Sequence, residues 1–298
     1  MNRGIPVKGP ATQTLARHEE RFPFFLTLRI SAAPAAAFVI LVGMIEEICV
    51  LVRIPAYILP RPSAIARELW TRAPEYLKHS GITAAEAGLG FAVATLLAFG
   101  VGVLFVHSRV AERSLYPYAI ALKAVPVVAL APILVLWFGA GFLGKVVMAA
   151  LVCFFPVVVG TTTGMRSVGR EVTDLFASLG ASRWQALWKL RMPSSMPQVF
   201  SALKVSATLS VVGAIVGELS GSLNGLGFVI LVASYEVQTV RMFAAIVCAS
   251  IIGIGFFLAV AVVERRVLFW HESVAEVDRG TVLVNREAPR SIREEKRS

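Results

Sequence analysis

The chain has 298 residues, of which 56% are hydrophobic and only 16% are charged. Its mean hydropathy is +0.72. A water-soluble helical protein of this length needs more charge to cover its surface, so the composition argues against that class. The formal net charge is +10, but no basic cluster interleaved with aromatic residues indicates nucleic-acid binding. We therefore expect an all-α membrane protein.

Six apolar segments are each about long enough to cross a bilayer, whose hydrocarbon core of about 30 Å requires about 20 helical residues. They are 34–53, 86–107, 116–138, 145–165, 199–219 and 242–263. About six transmembrane helices are thus expected in a membrane domain over residues 34–263. Residues 1–33 are expected to be a cytoplasmic segment, and the polar residues 264–298 a disordered cytoplasmic tail.

The positions of the 29 lysines and arginines predict the orientation, because positively charged loops stay in the cytoplasm. With the N-terminus inside, most of them fall on the cytoplasmic side. Both termini and the polar segment 170–195, between the fourth and fifth spans, are then cytoplasmic, in a cell inner (plasma) membrane. Small residues precede the first apolar run but do not follow it, so we expect no removed signal peptide.

Neither a catalytic nor a metal-binding constellation is recognisable in the sequence. The three cysteines lie far apart in apolar spans, and the four histidines are scattered. Residues 139–146 match the spacing of a phosphate-binding P-loop up to the last position, where Val146 replaces Ser or Thr. We therefore expect a chain that is not an enzyme, has no cofactor or metal, and does not itself bind ATP.

The 170–195 segment predicts two short helices. Residues 171–179 form the first helix, and Gly180 ends it. Ser182 caps the second helix, with Gln185 at the capping-box position three residues on. Pro193 is expected to end the second helix.

One face of this second helix is apolar and aromatic. Trp184, Leu187 and Trp188 share it at the spacing i, i+3, i+4, and Arg183 is a charged neighbour. Such a face either lies on the lipid surface, where Trp and basic residues are also found, or docks in a groove of a partner protein.

The same segment resembles the cytoplasmic loop of binding-protein-dependent ABC importer permeases. That loop has the form Glu-Ala-Ala, three residues, Gly, nine residues, Ile-x-Leu-Pro. In this chain Gly180 matches the Gly, Leu190 the Ile, and Met192-Pro193 the closing pair. The chain departs from the pattern at its start, where Asp174-Leu-Phe replaces Glu-Ala-Ala. Stretches at 54–63, 123–141, 179–185 and 218–227 resemble the nitrate/sulfonate/taurine (bicarbonate) branch in the expected order.

This resemblance, over about residues 40–270, implies a type I ABC importer permease with a coupling helix. It implies two permease copies, each docked on an ABC ATPase subunit, and an extracytoplasmic solute-binding protein that delivers the solute. The candidates for coupling to the ATPase are Asp174, Gly180, Arg183, Trp184, Leu187, Trp188 and Pro193. The expected solute is small and anionic or zwitterionic, of the nitrate/sulfonate/taurine type. A pyrimidine thiamin precursor or riboflavin is the alternative.

Polar residues and helix breakers inside the spans are candidates for the translocation path or gate. They are Lys123, Pro126, Pro132, Ser206, Ser210, Glu218, Gly225 and Gly227. The glycine-rich turn after Glu218 precedes an apolar run too short to cross, so 217–235 is expected to be a re-entrant outer gate. Helix packing is the alternative for the glycines, the hydroxyls and the proline kinks. A direct pair of Lys123 and Glu218 within one subunit is not expected.

An ion-coupled secondary transporter is the rival from another class. It would use intramembrane carboxylates for coupling and would often contain an inverted repeat. The chain shows no clear repeat, and its only adjacent carboxylates within a predicted span are Glu46 and Glu47.

Overall fold

The computed structural model describes residues 24–268 of the chain, with side chains from residue 35 onward apart from 116 and 119–124. This described part is helical and contains no strand. The helices are α1 Phe24–Leu51, α2 Pro62–Thr71, α3 Ala73–His107, α4 Arg109–Ala124, α5 Val127–Phe138, α6 Phe142–Arg166, α7 Arg170–Ser178, α8 Arg183–Ala186, α9 Met192–Leu219, α10 Leu226–Tyr235 and α11 Thr239–Val267. A π-helical turn, Leu187–Arg191, joins α8 to α9.

The chain divides into two units, Met1–Arg53 and Ile54–Ser298. Helix α1, in the first unit, contains most of the first predicted span. Four helical stretches of the second unit are long and apolar enough to cross a membrane: Ala73–His107, Phe142–Arg166, Arg183–Leu219 and Thr239–Val267. They contain the predicted spans 86–107, 145–165, 199–219 and 242–263. Most of the predicted segment 1–33 and of the predicted tail 264–298 lies outside the described residues.

The third predicted span, 116–138, is wrong as a single helix. The chain forms α4 up to Ala124, breaks at Val125 and Pro126, and resumes as α5. Proline lacks the N–H that would continue the helical ladder, and its ring disfavours helical geometry at the preceding residue. Pro126 is the N-cap of α5, with φ −60° and ψ 115°. Pro132 lies inside α5, which continues past it to Phe138.

The centre of the second unit is formed by α3, α6 and α9. Small residues let these helices approach closely. Lipid tails are as apolar as the side chains, so membrane helices associate mainly through close packing of this kind. A Cβ on Gly90 of α3 would lie 2.5 Å from Cβ of Ala149 on α6, and one on Gly160 of α6 would lie 2.2 Å from Cβ of Ala202 on α9. These positions therefore accommodate only glycine at the present separation of the helices.

Helix α10 has 10 residues. At about 1.5 Å per residue it is roughly 15 Å long, about half the thickness of the hydrocarbon core. Leu226, Val229 and Ala233 are buried, and the first two belong to one apolar cluster with Tyr76 and Ala245. The start of α10, residues 225–227, is buried within protein, whereas its other end, residues 234–238, is exposed.

We expect Gly160→Ala to destabilise the bundle, because the added methyl group requires α6 and α9 to separate. Overpacking of this kind typically costs about 1–3 kcal/mol, and thermal unfolding of the purified protein in detergent measures it. Gly253→Ala in α11 is the matched control, since nothing lies within 4 Å of its added Cβ. Equal unfolding temperatures for the two variants would contradict the close contact of α6 with α9.

Candidate functional site

The 170–195 segment has the predicted two-helix design at its start. Helix α7 ends at Ser178, and Gly180 has a φ of +73°, in the left-handed region that favours glycine. The N–H of Gln185 donates to Oγ of Ser182 at 3.2 Å, and the N–H of Ser182 donates to Oε1 of Gln185 at 2.9 Å. This reciprocal pair is the predicted capping box, which satisfies two amides that the start of a helix leaves unpaired.

The prediction that Pro193 ends the second helix is wrong. Helix α8 continues through the π-helical turn into α9, so that Arg183–Leu219 is one helical stretch of 37 residues. The N–H of Met192 bonds to the carbonyl oxygen of Leu187, five residues back, which is the wider π-helical spacing. Pro193 then lies in the first turn of α9, directly after this wider turn.

One residue of the aromatic face of this segment is buried, and the other two are exposed. Leu187 is 4% exposed, whereas Trp184 and Trp188 are 59% and 52% exposed. The two indole rings meet edge to face, with centroids 6.0 Å apart, and His107 makes a similar contact with Trp184 at 6.3 Å. Leu187 therefore packs within the chain, and the two Trp side chains project from it. The predicted charged residues Asp174 and Arg183 are also exposed.

At the opposite end of the bundle, side chains of two other helices cap the start of α10. The first amides of a helix have no partner within it. Here the N–H of Gly225 donates to Nδ1 of His79 at 3.0 Å, and that of Leu226 donates to Oγ1 of Thr83 at 2.9 Å. The N–H of Gly227 donates to Oε2 of Glu218 at 2.5 Å. Helix α10 is thus held at its N-terminus by α3 and α9.

Glu218 is completely buried and is the centre of this arrangement. Its Oε1 accepts a hydrogen bond from the Thr83 hydroxyl at 2.7 Å. Gly225 has a φ of +99°, and a Cβ there would lie 2.1 Å from Oε1 of Glu218. A Cβ on Gly227 would lie 2.7 Å from the carbonyl oxygen of Ile215. Both glycines are therefore required for the α9–α10 turn to close over the carboxylate.

A second carboxyl group and one cation complete the site. Glu86 of α3, 1% exposed, lies next to Glu218. Its Oε1 is 3.8 Å from Nζ of Lys145 on α6, and that lysine is also buried. We call His79, Thr83, Glu86, Lys145 and Glu218, with the backbone of 225–227, the Glu218 cluster. It places two carboxyl groups beside one ammonium group and joins α3, α6, α9 and α10.

Sequence reasoning identified Glu218, Gly225 and Gly227 but missed the other members of the cluster. Lys145 is the first residue of the predicted span 145–165 and was not among the candidates for the path or gate. The signal for Thr83 and Glu86 was their spacing of three residues at the edge of the apolar run 86–107, which places them on one helix face. Nothing in the sequence indicated that this face would meet the α9–α10 turn.

The other predicted path residues lie apart from this cluster. Ser206 is buried and donates to the carbonyl oxygen of Cys153 on α6 at 3.3 Å, and Ser210 donates to the carbonyl oxygen of Ala207 within α9. The Ser206 contact joins two helices, which is the alternative that the sequence left open. Lys123 belongs to α4, and its side chain is outside the described residues.

These features define a polytopic α-helical membrane protein with one exposed aromatic pair at one end of the bundle and a buried ionic cluster at the other. Among the described residues, no group of three or more His, Cys, Asp and Glu side chains could hold a metal ion. Residues 90–269 match the family described as the binding-protein-dependent transport system inner membrane component. The chain belongs to that family, as its motifs predicted, and is a permease of the ABC importer type.

Several permeases are similar over most of the chain. The riboflavin transport system permease protein RibX of Chloroflexus aurantiacus is 34% identical over 74% of this chain and 82% of its own length. The formylaminopyrimidine transport permease protein ThiX of Halalkalibacterium halodurans is 33% identical over 72% of this chain and 87% of its own length. The putative aliphatic sulfonates transport permease protein SsuC of Bacillus subtilis is 30% identical over 74% of this chain and 80% of its own length.

The fold is also found among solved structures. An inward-facing structure of the MetNI methionine ABC transporter matches with a TM-score of 0.55 and 17% identity, over 67% of this chain and 98% of that one. The prediction of an all-α, type I permease fold is thereby confirmed.

We expect Glu218→Ala to destabilise the protein by about 1–3 kcal/mol, the usual cost of an unsatisfied buried donor. The Thr83 hydroxyl can turn to the carbonyl oxygen of His79 at 3.2 Å, but the N–H of Gly227 loses its acceptor. Thermal unfolding in detergent measures the effect. Glu218→Gln keeps an acceptor oxygen and should restore most of the loss.

The matched control is Glu236→Ala, at the other end of α10, where the carboxylate is half-exposed and 3.9 Å from Arg241. An exposed pair of this kind contributes at most about 1 kcal/mol. If Glu236→Ala were as destabilising as Glu218→Ala, capping of α10 by Glu218 would not be what stabilises the turn.

Proposed function

We propose that this chain forms the translocation path of an ATP-driven importer as one of two identical permease subunits, with both termini and the 170–195 segment in the cytoplasm. In this proposal the segment docks on a separate ATPase subunit, and an extracytoplasmic binding protein delivers the solute to the opposite face. The observation that carries the proposal is the pair of exposed Trp side chains on a helix that continues into the membrane. Family membership supports the ATPase and the binding protein as partners.

The continuity of Arg183–Leu219 supplies a mechanism. At about 1.5 Å per residue, 37 helical residues span roughly 55 Å. Trp184 and Trp188 lie at one end, and Glu218 lies at the other. A rotation imposed on the docked end by closure of the ATPases would therefore displace Glu218 and the α9–α10 turn that it holds. We assign 217–235 as the outer gate on this basis, in a rigid-element transition of the kind that transporters use.

The double variant Trp184→Ala/Trp188→Ala should weaken ATPase binding by about a hundredfold or more. Each buried Trp at an interface is typically worth about 2 kcal/mol, and the two neighbouring contributions are not fully additive. Co-purification of the ATPase subunit and its dissociation constant for the permease in detergent measure the loss.

The matched control is Trp70→Ala/Trp137→Ala, which removes two exposed Trp side chains outside the 170–195 segment. This variant should bind the ATPase normally. If the Trp184/Trp188 variant also kept full affinity, the two rings would be lipid-facing residues and the docking assignment would be wrong.

For the solute, we favour a small uncharged heterocycle of the riboflavin or formylaminopyrimidine type over the anionic solute that the sequence motifs suggested. Two relatives named for such solutes are 34% and 33% identical. The second candidate is an aliphatic sulfonate or taurine, supported by the 30% identity to SsuC.

The solute assignment is tested with the complete complex, including its own binding protein and ATPase, in proteoliposomes. Riboflavin or formylaminopyrimidine should stimulate ATP hydrolysis and be accumulated, whereas taurine should do neither. Stimulation by taurine or an alkanesulfonate alone would establish the second candidate. Accumulation without ATP would contradict the importer mechanism itself.

A further inference from the structure

A cleft rich in arginine lies at the end of the bundle that carries the exposed Trp pair. Two adjoining cavities, of about 650 and 730 Å³, share Val106, Arg109, Thr173 and Arg191 in their walls. The walls come from the ends of α3 and α6, the start of α4, helix α7 and the turn before α9. Six arginines line the two cavities: Arg109, Arg113, Arg166, Arg170, Arg183 and Arg191. We call this region the arginine cleft.

The acidic side chains in the cleft do not balance the arginines. Glu112 and Asp174 are the two carboxylates in its walls. Glu112 forms an ion pair with Arg166, and the hydrogen bond from Arg166, followed by the charges of Arg166, Arg109 and Arg113, lowers the pKa of the Glu112 carboxyl. The cleft therefore retains a net positive charge, four guanidinium groups in excess of its carboxylates.

The guanidinium groups in the walls indicate which kind of ligand the cleft can bind. A guanidinium group presents its donors in a planar fork that matches two oxygens of a phosphate. Val106, Met165 and Leu187 also line these cavities, but Met165 and Leu187 are almost completely buried. The exposed groups of the cleft are therefore those that fit a phosphate.

The location of the cleft points to a membrane lipid as the source of that phosphate. His107 and Arg166 are the last residues of two long apolar helices, and Arg191 immediately precedes a third. Helix ends of this kind lie at the depth of the lipid headgroups. Basic pockets between membrane helices on the cytoplasmic side bind anionic lipid headgroups.

We propose that the arginine cleft binds the phosphate headgroup of an anionic phospholipid of the inner leaflet and thereby holds the 170–195 segment against α3 and α4. The cytoplasmic position of the cleft rests on the proposed function. A bound headgroup would bridge Arg109, at the start of α4, and Arg191, in the turn that leads into α9. It would thus restrain the helix that carries Trp184 and Trp188.

The test uses the permease–ATPase complex in nanodiscs of phosphatidylcholine with and without phosphatidylglycerol. Native mass spectrometry of the released complex counts the phosphatidylglycerol molecules that it retains. Arg109→Gln/Arg191→Gln should weaken retention by about twenty-fivefold, because each arginine near a charged headgroup contributes roughly a factor of five. Arg109→Lys/Arg191→Lys keeps the charge and should recover part of the loss.

The matched control is Arg265→Gln/Arg266→Gln, which removes two exposed arginines near the end of α11, outside the cleft. Equal retention of phosphatidylglycerol by the control and the Arg109/Arg191 variant would overturn the proposal. Inorganic phosphate that displaces the lipid at millimolar concentration would show that the cleft recognises the free ion instead. Lipid retention is counted on the permease itself, so loss of the ATPase would contradict the proposed function without affecting this result.

Discussion

The close approach of α3, α6 and α9 is the constraint on which the rest of the structure depends. Apolar side chains gain little by leaving lipid for another helix, so association relies on packing and on hydrogen bonds across the interface. Gly90 and Gly160 remove the side chains that would separate the helices, and Ser206 donates across the α6–α9 contact that results. The buried groups of the Glu218 cluster can meet only because the helix axes are held this near to one another.

The close helices allow the Glu218 cluster to supply hydrogen-bond acceptors for the first amides of α10. Helix α10 begins inside the protein, where water cannot satisfy its first amides. Their acceptors come from His79 and Thr83 on α3 and from Glu218 on α9. A displacement of α9 relative to α3 would break these bonds together, so the α9–α10 turn can respond as a unit. This makes the turn suitable as an outer gate.

At the other end, the π-helical turn makes α8 and α9 continuous. A break at Pro193 would leave the Trp pair on a separate short helix. A movement of that helix would then be absorbed at the break and would not reach α9. The wider turn, closed by the bond from Met192 to Leu187, places the proline in the first turn of α9 instead. The burial of Leu187 further attaches the segment to the chain. The same helix therefore presents Trp184 and Trp188 and ends beside Glu218.

Elements whose causes are local could be predicted from the residues alone. Hydropathy located the long apolar helices, Gly180 and the Ser182–Gln185 capping box located the turn of the 170–195 segment, and the order of motifs indicated the permease family. Features that depend on contacts between distant residues became visible only in the folded chain. Only the packed bundle brought Thr83, Glu86 and Lys145 to Glu218, because their nearness depends on helix separation and register. It also decided the continuity at Pro193 and the burial of Leu187, since these follow from how the segment is held against its neighbours.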